Sequence, residues 1–206
     1  MIAIVNYKAG NLTSVQLAFD HLKVPCEITS DPARILAADR VVFPGVGSAG
    51  AAMQSIRALG LDETLRTVVQ KGMPFLGICL GTQIIFDSLE EDGGVQGLGI
   101  IPGTVRRFMP DNPRDKVPQI GWNTVTWSRP HPLFEGIAKG SEFYFVHSYY
   151  PAPASGAVIL GETEYAGVRF ASVVGLNNLA ATQFHPEKSG RIGLRLLENF
   201  CRWKPI

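Results

Sequence analysis

PFLGICLGTQII, residues 74–85, decides the fold of this 206-residue chain. Pro74–Ile78 is an apolar run of strand length that ends directly at Cys79. Ile84 and Ile85 belong to the helix that we expect to follow at once. A strand that turns directly into a helix is the repeating unit of an α/β protein with a parallel sheet.

The same alternation of strand and helix runs through the first half of the chain. Apolar runs predict two further buried strands, at Ile2–Asn6 and Arg40–Phe43. Helical spacing predicts helices after Asn11, after Ser30-Asp31-Pro32, through Met53 and Ile56, and through Leu61, Leu65, Val68 and Val69. This order predicts a mainly parallel central sheet flanked by helices on both faces.

The sequence of the second half of the chain predicts strands that follow one another too closely for helices to lie between them. They are Thr104–Phe108, Asn123–Trp127, Glu142–Tyr150, Ala157–Leu160, Val168–Val174 and Leu179–Phe184. Part of the sheet is therefore expected to be antiparallel, which makes it a mixed sheet. Pro110–Pro118 is predicted to be a loop and Ser189–Trp203 a closing helix. No domain boundary is visible, so we expect one domain over residues 1–206.

Composition and charge exclude several classes of protein. Hydrophobic residues make up 46% and charged residues 18%, and the net charge of +1 gives no electrostatic reason to expect a nucleic acid or a membrane as partner. We find neither a signal peptide nor a stretch approaching the roughly 18 apolar residues of a membrane span. The three cysteines lack paired spacing, which favours a reducing cytoplasm. No metal-binding motif occurs, so we expect neither a metal nor a cofactor.

The pentapeptide Gly77-Ile78-Cys79-Leu80-Gly81 has the pattern of a nucleophile elbow with cysteine in place of serine. Side chains at both glycine positions would clash in such a sharp turn. The turn places Cys79 at a helix N-terminus, which favours the reactive thiolate, and lets the Leu80 amide donate to an oxyanion. The alternative is that Cys79 is a small buried residue, as we expect for Cys26 and Cys201.

His185-Pro186-Glu187 supplies a candidate base and the carboxylate that would orient it. Residues i and i+2 of an extended chain point to the same side, so Glu187 is placed to accept a hydrogen bond from His185. The alternative is a surface histidine beside a solvated glutamate. His147, in a strand rich in aromatic residues, competes with His185 for the role of base.

Pro44-Gly45-Val46-Gly47 follows the second buried strand and is expected at the same sheet edge as Cys79. Its glycines allow a backbone amide, that of Val46 or Gly47, to face a developing oxyanion. Residues 45–50 also fit the dinucleotide pattern GxGxxG. We reject that interpretation because the following strand ends in Cys79, with no acidic residue near its end to hold a ribose.

Together these motifs resemble the class I glutamine amidotransferases, over nearly the whole chain. The resemblance implies a flavodoxin-like amidotransferase fold and a catalytic triad of Cys79, His185 and Glu187. It also implies glutamine as the substrate, converted to glutamate and ammonia through a Cys79 thioester. Residues implied to bind the substrate are Gly47, Gln83, His147, Ser148 and Tyr149.

Within that family, residues 44–47, 121–123 and 144–149 resemble the glutaminase subunits of imidazole glycerol phosphate synthase. This resemblance implies a separate cyclase subunit as partner, in histidine biosynthesis, with Asn11, Tyr144 and Lys188 at the interface. Thr82 and Gln119-Ile120 depart from the usual methionine and His-Met. A glutaminase serving another pathway, such as pyridoxal phosphate or tryptophan synthesis, and a non-catalytic binding subunit remain open alternatives.

Overall fold

The computed structural model describes residues 1–8 and 12–205, and through residue 84 each strand is followed by one or two helices. In chain order the strands are β1 (Ile2–Val5), β2 (Cys26–Thr29), β3 (Arg40–Gly45), β4 (Phe75–Cys79), β5 (Phe86–Leu89), β6 (Val95–Gln96), β7 (Ile101–Arg107), β8 (Gln119–Thr124), β9 (Glu142–His147), β10 (Tyr149–Pro153), β11 (Ile159–Tyr165), β12 (Val168–Leu176) and β13 (Leu179–Thr182). The α-helices are α1 (Leu12–His21), α2 (Pro32–Leu36), α3 (Ala49–Ala58), α4 (Leu61–Gln70), α5 (Leu80–Ile84) and α6 (Gly190–Arg202).

The central sheet has seven strands in the order β11-β12-β13-β4-β3-β1-β2. β1, β2, β3, β4 and β13 pair in parallel, whereas β12 is antiparallel to both β13 and β11. The prediction of a mixed, mainly parallel sheet is therefore confirmed. β4, which carries Cys79 at its end, lies between β3 and β13 near the centre of the sheet.

Helices cover both faces of this sheet, as the apolar periodicity predicts. Successive residues of a strand face opposite sides, so Val5 of β1 packs in one apolar cluster and Ile4 in the other. The first cluster is closed by buried residues of α3 and α4: Met53, Ile56, Leu61, Leu65 and Val68. The second is closed by buried residues of α1 and α6: Val15, Phe19, Leu196, Leu197 and Phe200. In the part of the chain that the structure describes, no helix is long and apolar enough to cross a membrane.

Several predicted boundaries in the second half are wrong. Glu142–Tyr150 is not one strand, because β9 pairs with β8 in a two-stranded ribbon while β10 pairs with β7 in a separate four-stranded sheet. The aromatic residues continue through both strands, so the sequence does not indicate that the neighbouring strand changes from β8 to β7. Ala157–Leu160 begins as a 3-10 turn before β11, and the strand predicted at Asn123–Trp127 is β8, which ends at Thr124.

The region after Cys79 also differs from the prediction. Ile85 caps α5 instead of lying within it, and the chain becomes β5 at Phe86. The residues from 84 to 86 are all fully buried, and a continuous apolar run does not distinguish a helix from a strand. β2, β5 and β6 were not predicted, since each has at most four residues and carries polar or charged side chains.

Glycines bring β3, β4 and α5 unusually close together at the end of β4. A Cβ atom on Gly81 would lie 1.9 Å from the carbonyl oxygen of Phe43, and one on Gly77 would lie 2.9 Å from the Cβ of Ala181. The predicted clash of side chains at both positions is therefore confirmed. These contacts fix the turn that presents Cys79.

We expect Gly81→Ala to lower the free energy of unfolding by about 1–3 kcal/mol, because the added methyl group must displace the backbone of β3. Urea denaturation followed by circular dichroism measures the change. Gly156→Ala is the matched control, since a Cβ there meets nothing within 4 Å, and should change stability by less than about 0.5 kcal/mol. Equal stabilities of the two variants would contradict this account of the turn.

Candidate active site

Cys79 lies where β4 turns into α5, beside the end of β3, in register with Gly45. Its backbone angles are φ 54° and ψ −109°, a conformation that residues other than glycine rarely adopt. Its side chain is buried, and Sγ lies 3.9 Å from the carbonyl oxygen of Val146. α5 has only five residues, so its dipole favours the thiolate less than a longer helix would.

His185 follows the last strand of the sheet and is held on both sides by hydrogen bonds. Its amide donates to the carbonyl oxygen of Tyr144 at 3.0 Å, and its own carbonyl oxygen accepts from the Ser189 hydroxyl at 2.6 Å. The ring is almost completely buried, and Nδ1 lies 2.7 Å from Oε1 of Glu187. The expected hydrogen bond is thus present, but Pro186–Lys188 forms a 3-10 turn instead of the extended chain that the prediction assumed.

The electrostatics of His185 keep a proton on its ring at neutral pH. Burial alone would lower the pKa of His185, but Cys79 and then Glu187 raise it to about 10. Nε2 of His185 has no hydrogen-bond partner among residues 1–8 and 12–205, and the ring lines the same cavity as Cys79. A protonated imidazole here can stabilise a thiolate and can later give its proton to a leaving group.

His147, the rival base, has the opposite environment. It is buried among Phe108, Phe145 and Phe170, and its Nδ1 lies 2.7 Å from the carbonyl oxygen of Tyr149. Burial lowers the pKa of His147 to about 4, against the effect of the Tyr149 carbonyl, so the ring is neutral at physiological pH. The described residues offer it no carboxylate partner comparable to Glu187.

A cavity of about 260 Å³ brings the predicted site residues together. Its lining includes Cys79, Leu80 and His185, and also Val46, Gly47, Gln83, His147, Ser148 and Tyr149. Strand order explains this convergence, because β3, β4 and β13 end side by side at the same edge of the sheet.

The end of β3 is Gly45, so the predicted segment Pro44–Gly47 lies half in the strand, and Tyr7 contacts this end. The hydroxyl group of Tyr7 is buried against Gly45, where it would lie 2.3 Å from an added Cβ atom. It has no hydrogen-bond partner within the described part of the chain. Burial and the nearby Cys79 raise the pKa of Tyr7, and the backbone amide of Val46 is close enough to oppose that rise. The Val46 amide therefore lies near Tyr7 as well as at the edge of the cavity.

Two polar side chains of the site were not predicted from the sequence: Glu91 lines the cavity, and Gln183 lies beside Cys79. Glu91 is half-buried on the lining, where its carboxylate accepts a hydrogen bond from the Ala49 amide at 2.8 Å, and burial raises its pKa. Nothing distinguishes it in sequence from its acidic neighbours. Gln183 is fully buried, with Nε2 3.8 Å from Sγ of Cys79. Its place directly after a strand, two residues before His185, was the available signal.

Two of the three residues assigned to a partner interface, Tyr144 and Lys188, lie within the described part of the chain. Tyr144 is half-buried in β9 and pairs with Trp122 of β8, with ring centroids 6.2 Å apart. Trp122 and Ile120, which were not predicted, are 55% and 65% exposed and lie on the same face of the ribbon. Lys188 is exposed beside Glu187, and Asn11 lies outside the described residues.

The other two cysteines are less buried than expected. Cys26 and Cys201 are both partly exposed, whereas Cys79 is buried, so the expectation that the first two are core residues is wrong. Each lies at the margin of an apolar cluster. Burial of their sulfur atoms still raises the pKa of both thiols, that of Cys201 to about 11.

Comparisons with known proteins agree with this arrangement. The sequence profile described as glutamine amidotransferase class-I matches residues 4–203. The chain is 52% identical to imidazole glycerol phosphate synthase subunit HisH of Nitratidesulfovibrio vulgaris, covering 98% of this chain and 96% of that one. It is 48% identical to the HisH subunit of Herpetosiphon aurantiacus, covering 97% and 93%.

Among solved structures, the fold is similar to that of a glutamine amidotransferase, with a TM-score of 0.75, 17% identity, and coverage of 98% of this chain and 97% of that one. That similarity concerns the fold alone, whereas the sequence similarity extends over the whole chain. The chain therefore belongs to the class I glutamine amidotransferases.

Proposed function

We propose that this protein is the glutaminase subunit of imidazole glycerol phosphate synthase. It hydrolyses glutamine and supplies the ammonia to a separate cyclase subunit, which makes imidazole glycerol phosphate and an aminoimidazole carboxamide ribotide in histidine biosynthesis. The observation that carries the proposal is the convergence of Cys79 with the buried His185–Glu187 pair on one cavity. The names of relatives about half identical over the whole chain support the choice of pathway.

The chemistry is acyl transfer through a thioester. The Cys79 thiolate attacks the side-chain amide carbon of glutamine, and the resulting oxyanion is held by the amide of Leu80 and one from Val46 or Gly47. His185 then gives its proton to the departing nitrogen, and ammonia leaves. Water attacks the thioester while His185 takes up a proton, which releases glutamate and restores the thiolate.

The cavity suits a free amino acid as substrate. The half-buried carboxylate of Glu91 on the cavity lining provides a counter-ion for the α-ammonium group of glutamine. Gly47, Ser148 and Tyr149 add backbone groups and a hydroxyl on the lining. We assign the substrate-binding role to these residues together with Gln83 and His147.

The partner binds at the ribbon of β8 and β9. Exposed apolar side chains there, Ile120 and Trp122, lie beside Tyr144, whose carbonyl oxygen holds the His185 amide. A partner bound on this face can therefore affect the position of His185 through the backbone of Tyr144. Water-exposed ammonia would be protonated and lost as a nucleophile, which favours such a coupled arrangement. The free cysteines fit a cytoplasmic enzyme.

His185→Asn should reduce glutamine turnover by a factor on the order of 10²–10⁴, because the proton donor and acceptor is lost. His147→Asn is the matched variant and should cost less, since that ring is neutral and bonded to a backbone carbonyl. Glutamate release by each purified variant, together with the cyclase subunit and its ligand, measures both losses. If the larger loss followed the change at His147, the assignment of the base would be wrong.

Docking should raise glutamate release from a slow basal rate. The segment Val46-Gly47, which follows β3, can turn an amide away from the oxyanion, and one missing donor costs roughly 10²–10³ in turnover. Tyr144→Ala, Lys188→Ala and Asn11→Ala should therefore weaken activation by the cyclase more than they weaken basal hydrolysis. Rates are measured with and without the cyclase subunit and its ligand.

Glu63→Ala, a change of an exposed side chain on α4, is the control and should leave activation intact. An isolated chain that is fully active, and that responds to no cyclase, would contradict the assignment to this synthase. That result would not contradict the assignment of glutaminase activity.

A further inference from the structure

The side chain of Gln183 lies between Cys79, the candidate nucleophile, and Gln83, which is hydrogen-bonded to β10. Its side chain is completely buried, with Oε1 3.0 Å from Nε2 of Gln83 and Nε2 3.8 Å from Sγ of Cys79. The Nε2 atom of Gln83 also lies 3.0 Å from the carbonyl oxygen of Tyr149. Two amides thus form a chain from a backbone carbonyl group to the sulfur atom.

The direction of these hydrogen bonds is fixed by the carbonyl group at the far end. The Tyr149 oxygen can only accept, so the side chain of Gln83 must turn its NH₂ group toward it. The second hydrogen of that NH₂ group donates to Gln183, which must therefore turn its oxygen toward Gln83. The NH₂ group of Gln183 is then left facing Sγ of Cys79 as a donor.

The sulfur atom has a second neighbour with the opposite preference. The carbonyl oxygen of Val146, 3.9 Å from Sγ, accepts a hydrogen bond from the thiol but repels a thiolate. Gln183 offers hydrogen to the sulfur in either state, and this interaction strengthens when the sulfur carries a negative charge. Because the side chain of Gln183 is completely buried, water cannot replace its amide as a donor on that side of the sulfur.

We propose that Gln183 is a catalytic residue that donates a hydrogen bond to the Cys79 thiolate, with Gln83 as its positioning residue. The proposal rests on the role of Cys79 as the nucleophile. It also limits the part that Gln83 plays toward the substrate. Both hydrogens of its amide are already used within the protein, so only its oxygen remains to accept a hydrogen bond from glutamine.

Gln183→Met tests the proposal, since methionine keeps the length of the side chain and offers no N–H group. We expect the alkylation of Cys79 by iodoacetamide at neutral pH to slow about tenfold, in line with the loss of a hydrogen bond to a charged group. The dependence of that rate on pH should also move to higher pH. Peptide mapping separates Cys79 from Cys26 and Cys201.

Glutamine hydrolysis should show a matching pattern. Gln183→Met should lower kcat and leave KM nearly unchanged, because the lost interaction is made to the sulfur and not to the substrate. Gln83→Met should slow alkylation less. The double variant should be no slower than Gln183→Met alone, since both changes act on the same hydrogen bond.

Two further variants separate this role from a loss of stability. Asn199→Leu removes another buried amide, whose Nδ2 donates to the carbonyl groups of Leu133 and Glu135, and should leave alkylation unchanged. Gln183→Glu keeps an acceptor for Gln83 and replaces Gln183→Met if the latter does not fold. Measured at a pH high enough to ionise the new carboxyl group, it offers the sulfur no hydrogen and should slow alkylation as well.

Alkylation at the wild-type rate in the folded Gln183 variants, or a rise in KM at constant kcat, would overturn the proposal. The alkylation measurement uses the chain without any partner. If the cyclase fails to activate wild-type hydrolysis, the proposed pathway falls, and the alkylation rates still decide the role of Gln183.

Discussion

The positive φ angle of Cys79 is the constraint on which the site depends. A side chain at φ 54° and ψ −109° is tolerated only because β3, β4 and α5 approach closely enough to hold it there. That approach requires the absence of side chains at Gly77 and Gly81. The result is a sulfur atom placed at the edge of the central sheet, where the loop after β3 and the residues after β13 both reach it.

The polar groups around this sulfur are arranged by burial and by their neighbours. His185 and His147 line the same cavity, yet a carboxylate and a nearby cysteine raise the pKa of the first to about 10, and burial among aromatic rings lowers that of the second to about 4. Only His185 therefore carries a proton that it can give to a leaving group at neutral pH. In the proposed site, Glu91 adds an acceptor for a cation and Gln183 a donor to the sulfur.

Local patterns in the sequence predict much of this arrangement. They do not predict features that depend on contacts between segments far apart in the chain. The elbow at Cys79 and the pairing of His185 with Glu187 depend on residues adjacent in the chain. The division of Glu142–Tyr150 into two strands depends on what each half pairs with, and an aromatic run does not record that. Gln183 escaped notice because its interaction with Cys79 joins residues 104 positions apart.

The most direct test of the account is the detection of the acyl intermediate on Cys79. The chain is mixed with glutamine in the presence of its cyclase partner and ligand, quenched in acid during turnover, and examined by peptide mass spectrometry. The account predicts one glutamyl group attached to Cys79, absent from the Cys79→Ala variant. Steady glutamate release with no adduct at Cys79, or with the adduct on another residue, would contradict it.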